Sequence, residues 1–174
     1  MTLFTREETV ASDLVYKGQI INLRVDKLAC EGKSVTREVI EHPGGVIIAC
    51  QPQPNQVVFV RQYRYAIDCE LIELPAGRLD LGESPMIAAQ RELKEETGYE
   101  GGNWKQITAM YSAPGFCDEL LYLFHASKSK LATKTPDEDE EIEVLVLDVK
   151  DAWQMVIEGK IIDAKTIAGL AVLI

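Results

Sequence analysis

The sequence predicts a single domain that mixes strands with a few helices, of the α/β or α+β class. Three observations predict it. Strand-like apolar runs separated by turn signals fill the first half. One well-delimited helix follows at 85–97, and two short helical stretches close the chain. The 174 residues are 47% apolar, enough for a sizeable core and about one domain's worth of chain.

Taken in order, residues 19–30 are rich in Ile, Leu and Val with partial alternation. Glu31-Gly32-Lys33 signals a turn, and 34–42 alternates again, which predicts a hairpin. Pro43-Gly44-Gly45 breaks the chain. Strands are expected at 46–50 and 56–62 around Gln53-Pro54-Asn55, and at 70–74 up to Pro75. The helix at 85–97 has Ser84 as N-cap, Pro85 in its first turn and Gly98 as its stop. Strands at 107–111 and 120–126 flank a Pro114-Gly115 turn. A last strand spans 141–149, with Ile142, Val144 and Val146 on alternate positions. Helices at 151–158 and 164–173 end the fold. The strands at 1–42 precede everything else and read as an arm that packs on a partner chain, ahead of a core at 43–174.

Charge narrows the function classes. The formal net charge is −10, a poor match for nucleic acid or an anionic membrane surface. Apolar runs such as 46–50 and 170–174 are too short to span a bilayer, and the acidic, polar start does not read as a signal peptide. Cys30, Cys50, Cys69 and Cys117 show no zinc spacing. They read as small hydrophobes of a reducing compartment, hence a cytoplasmic protein. His42 and His125 are isolated, and no GxSxG occurs, which argues against covalent acyl chemistry.

The negative charge is local. Residues 83–100 hold five acids and two bases, and residues 137–143 hold six acids and no base. On the helix, Met86, Ala89 and Leu93 form one apolar face, while Glu92 and Glu96 project side by side with Glu95 beside them. Like charges at this spacing each cost an isolated helix about 0.2–0.5 kcal/mol, and the C-terminal dipole opposes them further. Two accounts fit. One is a solvated acidic face relieved by Arg91 and Lys94. The other is a hard divalent cation, for which paired carboxylates are the preferred ligands. The loop from Gly77 to Gly82, between a strand and this helix, favours the second.

Gly77, five residues, Glu83, seven residues, Arg91-Glu92-Leu93, one residue, Glu95-Glu96, one residue and Gly98-Tyr99 resembles the signature box of the Nudix hydrolases. Nine defined positions over 23 residues agree in spacing; Tyr99 alone departs, standing where an aliphatic residue is usual. The resemblance implies an α/β/α sandwich with a mixed sheet and an N-terminal antiparallel strand extension. It implies hydrolysis of a nucleoside diphosphate linked to another moiety, with two to three Mg²⁺ or Mn²⁺ ions. Glu92, Glu96 and the Ala76 carbonyl would ligate metal, with Glu95 a further ligand or acting through water. Arg91 would orient the glutamates. Glu83 would position helix and loop.

Outside the box the chain resembles the ADP-ribose pyrophosphatase branch. Pro114-Gly115-Phe116 would be its substrate loop, with Glu119 facing substrate; the alternative is an ordinary β-turn. In the acidic run, Glu140 would be a metal ligand and Glu138 the general base. Arg64 would contact the pyrophosphate and Arg61 is the second candidate, an arginine fork suiting two phosphate oxygens; pairing with Glu70 or Glu73 is the alternative for Arg61. The residues at 158–165 also look like this branch. The implied products are AMP and ribose 5-phosphate. A homodimer with exchanged N-terminal strands is implied too. Competing readings are a nucleotide-sugar pyrophosphatase acting on GDP-mannose, and a silent ADP-ribose sensor, which would be expected to lack box carboxylates.

Overall fold

The computed structural model describes residues 4–132 and 142–174. The chain forms two compact units. One comprises the chain up to Gly44 together with Tyr111–Leu120, and the other Gly45–Met110 with Leu121–Ile174.

In the first unit, a single 3-10 turn at Arg6–Glu8 leads into β1 (Thr9–Lys17), β2 (Asn22–Cys30) and β3 (Lys33–Glu41), an antiparallel sheet in that order. The expected hairpin is β2–β3. Cys30 pairs with Lys33, and Glu31 and Gly32 have φ of 50° and 75°, the two left-handed residues that a tight hairpin turn requires. Strand β1 was not foreseen, and 19–21 belongs to the turn before β2, where the Gly18 N–H donates to the Ile21 carbonyl at 2.9 Å. The reason is physical. From Val10 to Lys17 every side chain is exposed, so no burial pattern marks the strand. Its pairing with β2 is irregular at two places.

The second unit contains β4 (Gly45–Gln51), β5 (Gln56–Arg64), β6 (Cys69–Glu73), β7 (Ala76–Arg78), α1 (Pro85–Thr97), β8 (Tyr99–Glu100), β9 (Asn103–Tyr111), β10 (Leu120–Ser127), β11 (Lys130–Leu131), β12 (Glu143–Asp148), α2 (Val149–Ile157) and α3 (Ala164–Leu170). One sheet runs β7-β4-β10-β9, with β4 parallel to β10 and antiparallel to β7. A second runs β12-β5-β6, all antiparallel. β8 and β11 make a short ribbon. The short strands β7, β8 and β11, of two or three residues, are too brief to carry a periodic signal.

Period-two alternation explains the layering. Val46, Ile48 and Cys50 of β4 pack with Ala88, Ala89 and Leu93 of α1, while Ile47 and Ala49 pack with Ala152 of α2 and Leu170 of α3. The sheet is therefore covered on both faces, which is why 46–50 reads as a continuous apolar run rather than an alternating one. This is the expected α/β/α sandwich. Each fully buried aliphatic chain, such as Leu93, contributes roughly 1.5–3 kcal/mol. Among the described residues no helix is long and apolar enough to cross a membrane.

Candidate active site

Helix α1 begins at Pro85 and ends at Gly98, whose φ of 74° lets its N–H reach the Lys94 carbonyl at 2.9 Å. Ser84 occupies the N-cap position, but its hydroxyl makes no capping bond. Burial of Ala88, Ala89 and Leu93 fixes the roll of the helix, and that roll brings its acidic end against β7.

There the Glu96 carboxylate is buried and accepts a hydrogen bond from the Ala76 N–H at 3.0 Å. Gly77 lies so close to Glu92 that a Cβ at this position would overlap its carboxylate. Glycine is needed for this approach. Arg91 organises the rest. Its Nη1 donates to Glu92 at 2.8 Å and to Glu95 at 2.9 Å. Its Nε and Nη2 donate to the two Glu83 oxygens at 3.1 and 3.0 Å, and Nη2 also reaches the Arg78 carbonyl at 3.2 Å. Glu83 in turn accepts from the Asp80 N–H at 3.2 Å, so one guanidinium ties helix to loop. The Glu83 bonds are the largest cause holding Arg91 above its ordinary pKa, and they hold Glu83 below the usual carboxylate range. Lys94 pairs with Glu100 rather than with the three helix glutamates.

The structure thus brings together Ala76, Gly77, Glu83, Arg91, Glu92, Glu95, Glu96 and Gly98. Among the described residues no three or more His, Cys, Asp or Glu side chains are arranged to hold a metal ion. Arg91 ties Glu92 and Glu95, and Glu96 faces the backbone. Glu138 and Glu140 lie outside the described residues.

The two strand arginines differ. Arg61 pairs with Glu143 across β5–β12, its Nε at 2.8 Å from the carboxylate, and not with Glu70 or Glu73. Arg64 grips Glu73 with both Nε and Nη2 at 2.7 Å. Glu73 is fully buried and also bonded to Lys165. Burial alone would raise its pKa, but the Arg64 and Lys165 interactions outweigh it and hold the carboxyl low. Glu73 was named from the sequence as an alternative partner for a strand-end arginine, but the pairing with Lys165 was not expected. The available signal was an acid inside the apolar run Leu71-Ile72-Glu73-Leu74.

In the first unit, Ala113 to Phe116 forms a turn, closed by the Phe116 N–H on the Ala113 carbonyl at 3.1 Å. The segment is fastened to β3 through Ile40 N–H to Phe116 carbonyl, 2.7 Å, and Asp118 N–H to Ile40 carbonyl, 3.1 Å. Pro114, Gly115 and Phe116 line a cavity of about 430 Å³ together with Tyr111, Arg37 and Glu38. Glu119 sits 3.3 Å from His42 Nδ1.

The NUDIX domain model matches residues 41–170. The chain belongs to the Nudix hydrolase family, whose members generally need a divalent metal ion. It is 38% identical to an ADP-ribose pyrophosphatase of Bacillus subtilis, over 92% of this chain and 88% of that one. It is 36% identical to a methanol dehydrogenase activator of Bacillus methanolicus (92% and 89% covered) and 35% identical to a GDP-mannose pyrophosphatase of Salmonella arizonae (84% and 82%). The fold resembles a crystal structure titled as an ADP compounds hydrolase, with a TM-score of 0.81 and 18% identity over 93% of this chain and 89% of that one.

Proposed function

We propose that the protein hydrolyses the pyrophosphate bond of ADP-ribose to AMP and ribose 5-phosphate. The observation that carries the chemistry is the acidic end of α1 held against Ala76 and Gly77, with Arg91 fixing Glu83, Glu92 and Glu95. The relative from Bacillus subtilis supports the choice of substrate.

The proposed ions are Mg²⁺ or Mn²⁺, two to three per site, and oxygen donors of this kind suit a hard cation. Such ions bind through one or two carboxylates and keep several waters, so Glu92, Glu96 and the Ala76 carbonyl form a sufficient starting set, with Glu95 and Glu140 adding to it. A buried carboxylate, Glu96, with Glu92 and Glu95 partly buried beside it near the C-terminus of a helix, where the dipole disfavours anions, has the chemistry of a cation site. A divalent ion there supplies charge neutralisation at the phosphates and makes water more acidic. Glu138 takes the proton of the attacking water as general base. Arg91 keeps Glu92 and Glu95 in one orientation. Arg64 binds a pyrophosphate oxygen, with Arg61 the second candidate. Pro114, Gly115 and Phe116 are the proposed substrate contacts, with Glu119 on the same loop.

The chain acts as a cytoplasmic homodimer with the β1–β3 sheet as its arm. The exposed Val10, Leu14, Val15 and Tyr16 of β1 support a partner on that sheet, and four free cysteines fit a reducing compartment. A second reading, hydrolysis of GDP-mannose, is favoured by the relative of that name.

The test is product analysis with Mg²⁺ over ADP-ribose, GDP-mannose, NADH and dinucleoside polyphosphates. AMP and ribose 5-phosphate are expected to form fastest, and to stop in EDTA. Preference for GDP-mannose would install the second reading. Undiminished turnover in EDTA would remove the metal assignment, and binding of ADP-ribose without cleavage would make the chain a sensor.

A further inference from the structure

Glu73 is a fully buried carboxylate, and such a group must be satisfied by its neighbours. It is satisfied twice over. Arg64 grips it with two parallel bonds of 2.7 Å, and Lys165 bonds it from α3. Lys165 is shared with Asp163 at 2.9 Å. Asp163 caps α3, accepting from Thr166 N at 3.0 Å and from Thr166 Oγ1 at 2.6 Å, and Thr166 Oγ1 accepts from the Leu74 N–H at 2.8 Å. The first turn of α3 is thereby stitched to residues 73 and 74, immediately before Ala76.

A network of this kind is poor value as a stabiliser alone, since apolar side chains of similar volume commonly do as well. Its geometry serves an arginine. Glu73 is 1% exposed and Arg64 41% exposed, so the fork is held from its buried side with an open side left to solvent. Glu73 takes Nε and Nη2 and does not engage Nη1. Arg64 also lies within the field of Glu96, at the acidic end of α1. Lys165 matters for charge. Because it shares Glu73, Arg64 is not the only cation neutralising that carboxylate and keeps part of its own positive field.

We propose that Glu73 and Lys165 are positioning residues that fix the plane and preserve the charge of Arg64 for a diphosphate ligand. This rests on the assignment of Arg64 to the pyrophosphate. A guanidinium already fixed loses less freedom on binding, and an incompletely neutralised one attracts phosphate more strongly.

The experiment compares wild type, Lys165→Met, Lys165→Arg, Arg64→Ala and the double variant Arg64→Ala/Lys165→Met, by steady-state kinetics on ADP-ribose with Mg²⁺ and by urea unfolding. Lys165→Met is expected to raise KM about tenfold with kcat within about threefold. Lys165→Arg is expected to restore KM. In the Arg64→Ala background the Lys165→Met effect is expected to vanish, because its target is gone. An unchanged KM, an equal effect in both backgrounds, or a change confined to the urea midpoint would overturn the proposal while leaving Arg64 at the pyrophosphate. Wild-type kinetics in Arg64→Ala would remove Arg64 from the phosphates and the proposal with it, and continued hydrolysis would leave the family chemistry standing. Should Lys165→Met not fold, Asp163→Asn, which loosens Lys165 without removing it, carries the same comparison.

Discussion

Arg91 and Glu73 each gather several opposite charges, and the two clusters balance differently. Around Arg91 one guanidinium serves Glu83, Glu92 and Glu95, so in these ion pairs, among the described residues, the acids outnumber the base. Around Glu73 two cations, Arg64 and Lys165, face two carboxylates, Glu73 and Asp163, and the charges cancel. A cluster whose charges balance in sum lets its central carboxylate be buried. An uncancelled one costs the fold free energy through like-charge repulsion, and is retained to advantage only where something further binds. The contrast separates a balanced cluster, which fixes the arginine it contains, from an acid-rich one, which is suited to a cation.

Four substitutions sharpen that contrast. Glu92→Gln removes a charge from the uncancelled cluster. It is expected to lower kcat on the order of 10³-fold in an AMP-release assay while leaving the urea midpoint unchanged or raised. A lowered midpoint would mean that the acidic cluster is structural. Glu73→Gln strips the balanced cluster of its centre, and the loss is expected in stability, about 2–4 kcal/mol by urea unfolding at pH 7. The sign with pH follows from the depressed folded pKa. The contribution of Glu73 is complete above the ordinary value of 4.5 and disappears as pH falls through the lower folded value. Unfolding midpoints of wild type and Glu73→Gln should therefore converge below pH 4.5, and a gap that stays constant down to pH 2 would contradict the pairing. Gly77→Ala pushes the Glu92 carboxylate aside. A roughly tenfold loss in kcat with little change in stability is expected, since the displaced atoms end a flexible side chain. Lys94→Gln, which removes a half-exposed ion pair with Glu100, should stay within about twofold in both measurements.

The sequence discloses the uncancelled cluster far better than the cancelled one, and the reason is distance along the chain. Glu83, Arg91, Glu92, Glu95 and Glu96 lie within one loop and helix, where spacing translates directly into position. The Glu31-Gly32 turn and the stop at Gly98 are local in the same sense. The Glu73 cluster joins residues 9 and 92 positions apart, and only the packing of α3 brings Lys165 to it. Pairing of a strand-end arginine with Glu73 was weighed as an alternative from the sequence, but its convergence with Lys165 was not. Strand β1 stayed hidden for a different reason, since a strand stabilised by backbone pairing and exposed along its side chains carries no alternation to detect.

Cys50 sits near the C-terminal end of β4 with no exposed surface, and burial pushes its thiol up to about 11, whereas Cys30, Cys69 and Cys117 are each partly exposed. At neutral pH almost none of it is thiolate, the form that alkylating reagents attack. The residues that carry the other three sulfurs are partly exposed in the native protein, and the fourth is fully buried. Labelling of that last sulfur reports, without any introduced probe, how often the central sheet opens.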